Sequence, residues 1–141
     1  MKRKASAVWQ GDLKTGKGSI STESGTLKQT QYSFSTRFEN GVGTNPEELI
    51  AAAHASCFSM AFSAELGKAG FTPEKISTVA AITMEKNDAG FSVTESHLEM
   101  TAKIPGIDQE KFIAIANGAK AGCPISRLLN AKISLDAKLE A

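Results

Sequence analysis

Thr44-Asn45-Pro46-Glu47-Glu48-Leu49-Ile50-Ala51-Ala52-Ala53-His54-Ala55-Ser56-Cys57-Phe58-Ser59-Met60 is the stretch on which the fold turns. Its first five residues are a helix start. Asn45 suits the N-cap, Pro46 the first helical position, and two acids follow at the positive end of the dipole. The helix is expected to run to about Lys68 and to end at Gly67 or Gly70. Leu49, Ile50, Cys57, Phe58, Met60, Phe62 and Leu66 point in every direction around it. A helix that is apolar all round is buried on all sides. A chain of 141 residues can hardly surround it and also build a sheet. The small residues Ala51 to Ser56 would let another backbone approach closely.

Outward from that helix the pattern is mostly that of strands. On the N-terminal side, Ala5 to Asp12 and Ser19 to Thr22 read as strands about a turn at Lys14 to Gly18. Gln31 to Phe38 alternates, with Tyr32, Phe34, Thr36 and Phe38 on one face and Ser33, Ser35 and Arg37 on the other, and reads as a third strand. On the C-terminal side, Ile76 to Glu85 and Phe91 to Ile104 form a hairpin about a three-residue turn, Asp88-Ala89-Gly90. Asp108 caps a helix from Gln109 to Ala121, which Gly122 ends. Pro124 to Asn130 is a short helix, and Ile133 to Leu139 alternates as a half-buried last strand. The order βββ-α-ββ-αα-β is an α+β layout, expected as one domain over residues 1–141.

Composition narrows the function classes. Hydrophobic residues make up 41% and charged residues 22%, as in a folded globular chain. Sixteen basic and fifteen acidic residues leave a net charge of +1, which gives no electrostatic reason to expect nucleic acid or an anionic membrane as partner. The basic start, Met1-Lys2-Arg3-Lys4, has no apolar run behind it, so no secretory signal is expected. The apolar stretch from Leu49 to Leu66 carries His54 and Glu65 and reads as buried rather than membrane-spanning. The expected location is the cytoplasm, where thiols rest reduced.

Two cysteines, Cys57 and Cys123, lie 66 positions apart, in no metal-binding or C-x-x-C spacing. Such a pair is either two inert core thiols or a nucleophile with a resolving partner. Cys57 sits deep in its helix, with no cation near it in sequence to lower its pKa. Cys123 precedes Pro124 at the start of the short helix, where backbone N–H groups favour a thiolate. Local physics alone therefore ranks Cys123 as the better nucleophile. Arg37 reads most simply as a solvent-facing side chain, and Glu47 and Glu48 as helix-capping acids. Gly11-x-x-x-x-Gly16-Lys17 is close to a phosphate-binding loop. Gly18 stands where that loop needs Ser or Thr, and the surroundings read as strand-turn-strand, so it is discounted. His54 and His97 are too isolated to form a metal site with these cysteines.

The opening stretch, from Gly43 onward, resembles the signature of the osmotically inducible protein C (OsmC) and organic hydroperoxide resistance (Ohr) family. Trp9-Gln10-Gly11-Asp12-Leu13, Gly18 to Gly25, Ser35-Thr36-Arg37-Phe38 and Ala119 to Ser126 resemble the OsmC branch. The resemblance implies an intertwined homodimer, with antiparallel sheets wrapped around two central helices and composite active sites. It implies a thiol peroxidase for organic hydroperoxides, and less effectively for hydrogen peroxide. Cys57 would be the peroxidatic nucleophile and Cys123 the resolving thiol, reversing the local ranking. Arg37 would support the thiolate and Glu47 would orient Arg37. A dithiol, of the dihydrolipoyl type, would reset the disulfide, with no metal, flavin or haem. Two other readings stay open beside it: a binding or stress protein of the same fold with vestigial thiols, and a thiol-redox sensor. Glu47 and Cys57 are ten residues apart on one helix, about 15 Å along the axis. A composite site with Glu47, and Arg37 with it, from the partner chain is therefore expected.

Overall fold

The computed structural model describes all residues from Met1 to Ala141. The elements are β1 (Ala5–Gln10), β2 (Lys17–Thr22), β3 (Thr30–Tyr32), α1 (Phe34–Phe38), α2 (Pro46–Lys68), β4 (Lys75–Asn87), β5 (Gly90–Lys103), α3 (Gln109–Gly122), α4 (Pro124–Leu128) and β6 (Lys132–Glu140). The class is α+β, as the sequence predicts. The chain divides into two compact units, Met1–Leu49 and Ile50–Ala141.

The first unit holds an antiparallel sheet in the order β1-β2-β3. Its centre is Gly18, which faces Trp9 on β1 and Tyr32 on β3. The two rings meet over that glycine, with centroids 5.5 Å apart. A Cβ at Gly18 would run into both rings. Two threonines, Thr36 and Thr44, are the buried residues here, and no apolar side chain is fully buried. Every residue of β1 is exposed. A three-stranded sheet without a hydrophobic face against something else has little to hold it.

One expected strand is not all strand. Pairing stops at Tyr32, and Phe34–Phe38 is a helix. Ser33 caps it by accepting from the Thr36 N–H, and the Thr36 hydroxyl accepts from the Ser33 N–H in return. The aromatic spacing that alternates like a strand is also an i,i+4 helical spacing. Phe34 and Phe38 use it that way, with ring centroids 4.9 Å apart.

The second unit packs α2, α3 and α4 on the sheet β4-β5-β6. The β4–β5 hairpin closes with Asn87 opposite Gly90, so its loop is two residues, Asp88 and Ala89, rather than three. β6 pairs with β5 in parallel, which corrects the expectation of wholly antiparallel sheets. The physical reason is the connection. β6 arrives after a crossover through α3 and α4, and crossovers of that kind deliver parallel neighbours. Phe58, Phe62 and Leu66 of α2, Leu98 and Met100 of β5, and Phe112 of α3 are the large apolar side chains of the core. Phe62 meets the Phe112 ring edge-on at 5.8 Å.

The long helix behaves as its sequence demands. Its fully buried residues are His54, Phe58, Phe62 and Leu66, a single i,i+4 stripe. By length and apolar content it could also cross a membrane, but the stripe is packed on the sheet and on α3 in the manner of a core helix. The other faces are open in one chain, and Met60 is 75% exposed.

Gly18→Ala is expected to destabilise the fold by about 1–3 kcal/mol, because the added methyl must displace two packed rings. A lowered midpoint in urea unfolding, together with altered tryptophan fluorescence from Trp9, checks this.

Candidate functional site

Two clusters contain all four candidate residues, one in each unit. In the first unit, Arg37 sits in the last turn of α1 and Glu47 in the first turn of α2. They form a fork-to-fork ion pair. Arg37 Nε donates to Glu47 Oε1 at 2.9 Å and Nη2 to Oε2 at 3.1 Å. Such bidentate, charge-assisted bonds fix the plane of the guanidinium. The loop between them is tied down. Asn45 caps α2 by accepting from the Glu48 N–H at 2.7 Å, and its Nδ2 donates to the Thr36 carbonyl at 3.0 Å. One asparagine thus caps the second helix and fastens the first to it. Gly43, at φ +133°, lies against the Gln31 carbonyl where no side chain would fit.

Arg37 lies in a helix rather than on a strand face and is paired, while its side chain stays solvent-facing, about 40% exposed. Around it is a cleft of about 280 Å³ lined by Trp9, Leu13, Tyr32, Ser33, Phe34, Phe38 and Pro46. That lining is mostly apolar, with a paired cation in it.

In the second unit, α2 carries Cys57 and the start of α4 carries Cys123. Both thiols are free, Cys57 half-buried and Cys123 fully buried. The structure brings the two thiols together as neighbours. Burial pushes the Cys57 thiol up from its ordinary pKa, and the Cys123 thiol beside it adds to the rise. The Ile125 backbone N–H nearby pulls the other way. The backbone N–H effect that the sequence assigns to Cys123 falls on the Cys57 sulfur here. The Cys123 side chain makes no capping bond on α4, and the amide at the start of α4 serves Cys57 instead. Exposure agrees, because a reagent from solvent meets Cys57 first.

Sequence reasoning passed over His54 as a satisfied core histidine. It is fully buried. Its Nδ1 lies 2.6 Å from the Ser96 hydroxyl and its Nε2 2.7 Å from the Ser126 hydroxyl. Burial pushes its pKa down from the ordinary value, which favours the neutral ring. A neutral ring has one N–H and one lone pair, so one serine accepts and the other donates. His97 is less isolated than its sequence context suggests. Its Nδ1 is 2.6 Å from the Ser134 hydroxyl and its Nε2 3.2 Å from an Asp136 carboxylate oxygen. With Glu99 these groups form an open patch on the β5–β6 face, apart from the cysteines.

This arrangement has relatives. Residues 38–138 match the family described as OsmC-like protein. Peroxiredoxin OsmC of Escherichia coli is 55% identical over 139 residues, covering 99% of this chain and 97% of that one. The organic hydroperoxide resistance protein OhrB of Bacillus subtilis is 27% identical over 124 residues, covering 87% of this chain and 88% of that one. An OsmC-like protein of unknown function from Vibrio cholerae has the same fold, with a TM-score of 0.78 at 18% identity, over 97% of this chain and 99% of that one. With the family matched over most of its length and a relative of that identity, the chain belongs to the OsmC-like proteins.

Proposed function

We propose that this protein is a cysteine-based peroxidase that reduces organic hydroperoxides, and hydrogen peroxide less effectively. The observation that carries the proposal is the contact between a half-buried Cys57 and a fully buried Cys123. Its closest support outside the chain is the 55% identity to a peroxiredoxin.

Each half-reaction has an assigned group. The Cys57 thiolate attacks the distal peroxide oxygen, the O–O bond breaks, and an alcohol or water leaves. Cys57 becomes a sulfenic acid. The Cys123 thiol attacks that sulfur, water departs with its proton, and a Cys57–Cys123 disulfide forms. A dithiol, of the lipoyl type, reduces it by exchange. Sulfur does all the redox chemistry, so no metal or organic cofactor has a part in the cycle. Such a cycle suits the cytoplasm, where reductant is at hand, and a role in oxidative and osmotic stress.

The Cys57 thiol needs help to ionise, since burial and its neighbour both raise its pKa. Arg37 is the cation we assign to it, held in plane by Glu47. The apolar cleft about Arg37 would then hold the alkyl tail, at roughly 0.8 kcal/mol per buried CH₂. That preference separates alkyl from hydrogen peroxide.

We assign Arg37 and Glu47 to the site of the partner chain in a homodimer. α2 is unbroken from Pro46 to Lys68. Ten residues of helix span about 15 Å, which a glutamate side chain cannot bridge. The open faces of α2 and the coreless first unit both ask for further apolar contact, which a second copy would supply. Residues 1–141 then act as one functional domain.

The decisive experiment mixes peroxide with the reduced protein and counts thiols. The wild type is expected to lose two thiols per chain with an alkyl hydroperoxide and to turn over with a dithiol. Cys57→Ser should abolish consumption, while Cys123→Ser should allow one oxidation per site and no dithiol-driven turnover. Inert thiols in the wild type would favour a binding protein instead, and reversed behaviour of the two serine variants would reverse the assignment.

Arg37→Ala should raise the Cys57 pKa further. Alkylation of Cys57 should slow at neutral pH and recover as the pH rises through the new value, since the thiolate is the nucleophile. An unchanged alkylation profile removes Arg37 from the site.

Shared sites make a complementation experiment possible. Neither Cys57→Ser nor Glu47→Ala homodimers should have full activity. A heterodimer of the two has one intact site and one lacking both groups, so activity should return in isolated heterodimers. Heterodimers no better than the Glu47→Ala homodimer would place Glu47 in its own chain's site.

A further inference from the structure

Cys57 and Cys123 are not the only pair that links α2 to α4. His54 lies three residues before Cys57 on α2, and Ser126 three residues after Cys123 at the start of α4. The His54–Ser126 bond therefore runs beside the thiol contact, one helical turn away. The two rungs pair α2 and α4 in opposite directions, 54 with 126 and 57 with 123. Residues three apart on a helix share a face, about 4.5 Å apart along the axis.

α4 has little else to hold it. It is five residues long, and Ser126 is its one buried residue. A helix that short has no stability of its own. Its neighbour Ile125 is half-buried against the core, yet a hydrophobic contact sets no direction. The hydrogen bond to His54 does. Ser96, on β5, holds the far side of the same ring at 2.6 Å, so the imidazole is anchored to the sheet. Because His54 is itself a residue of α2, its bond to Ser126 ties α4 to α2 directly, with or without the bond to Ser96.

We propose that His54 is a positioning residue for disulfide closure, fixing α4 on α2 in the register that keeps Cys123 against Cys57. This rests on the peroxidase reading above. The step it serves is attack of the Cys123 sulfur on the Cys57 sulfenic acid. The S–S bond forms, the S–O bond breaks, and the hydroxyl leaves as water with the Cys123 proton. Closure requires the two sulfurs in line, and a displacement of about 1 Å can cost a hundredfold in rate. His54 touches neither the peroxide nor the sulfurs. The first oxidation at Cys57 does not require Cys123, so it should not depend on the register.

The two ring nitrogens can be separated by side chains that imitate one at a time. The amide of Asn falls near the position of Nδ1 and that of Gln near Nε2. His54→Gln keeps a partner for Ser126, and His54→Asn keeps one for Ser96. The serines give a matching pair, Ser126→Ala and Ser96→Ala. All four remove one buried hydrogen bond, so a purely structural role predicts similar losses of stability and no difference in closure. Each variant is oxidised by rapid mixing with tert-butyl hydroperoxide. Loss of the Cys57 thiol, trapping of the sulfenic acid by dimedone, and appearance of the disulfide are followed separately, beside a urea unfolding curve.

The expected result is a split. His54→Asn and Ser126→Ala should oxidise at the wild-type rate but close about ten- to a hundredfold more slowly. Dimedone trapping should be greater, and irreversible sulfinic acid should build up with excess peroxide. His54→Gln and Ser96→Ala should close at close to the wild-type rate. Equal closure rates within each pair would overturn the proposal, as would parallel losses in oxidation and closure. Should one pair fail to fold, the other carries the same comparison. A wild type that forms no Cys57–Cys123 disulfide would sink the peroxidase reading and this inference with it. Normal wild-type closure with no split among the variants would sink this inference alone.

Discussion

The structure depends on a helix with more apolar surface than its own chain covers. α2 is committed on one stripe, where Phe58, Phe62 and Leu66 enter the core and His54 meets two serines. Burial of three large side chains is worth several kcal/mol in total, so this stripe sets how α2 lies on the β4-β5-β6 sheet. The same stripe then sets where Cys57 points. It precedes Phe58 by one residue, at the margin of the buried face, and is neither sealed in nor fully open. That marginal position leaves the Cys57 sulfur within reach of solvent on one side and next to the buried Cys123 on the other.

The electrostatics divide along similar lines. In the second unit nothing charged supports a Cys57 thiolate, and burial opposes one. In the first unit an arginine is held rigidly by a carboxylate amid apolar side chains. The pair stays partly open to solvent, with the Arg37 side chain about 40% exposed, so holding it there costs little desolvation. The need of one unit and the provision of the other are complementary in sign.

Much of this was legible in the sequence. The N-cap Asn45, Pro46 and the two acids mark the start of α2, and Asp108 and Pro124 mark α3 and α4, because capping chemistry is local. What failed was whatever required distant information. Tyr32, Phe34, Thr36 and Phe38 satisfy strand and helix spacings together, and only the Ser33–Thr36 exchange of hydrogen bonds settles the matter for the helix. The reciprocal Ser-x-x-Thr pair was the one local signal available. Arg37 inherited that error, and its pairing with Glu47 spans a loop whose path no periodicity reveals. The parallel pairing of β6 could have been foreseen from the helices that precede it. The partners of His54 could not, since Ser96 and Ser126 lie 42 and 72 residues away along the chain.

The surroundings of the two thiols show why a cap position in the sequence does not fix which sulfur feels the helix start. Backbone N–H groups at a helix start do favour a thiolate, and Cys123 does stand at the cap. Its backbone, however, leaves the helix through that position, and its side chain turns into the core, where it is fully buried. The N–H of Ile125 then acts on the neighbouring sulfur of Cys57, whose pKa it lowers. A cap position offers hydrogen bonds to whatever occupies the space ahead of the helix, which need not be the cap's own side chain. Here that space is filled by another helix, brought to it by His54 and Ser126.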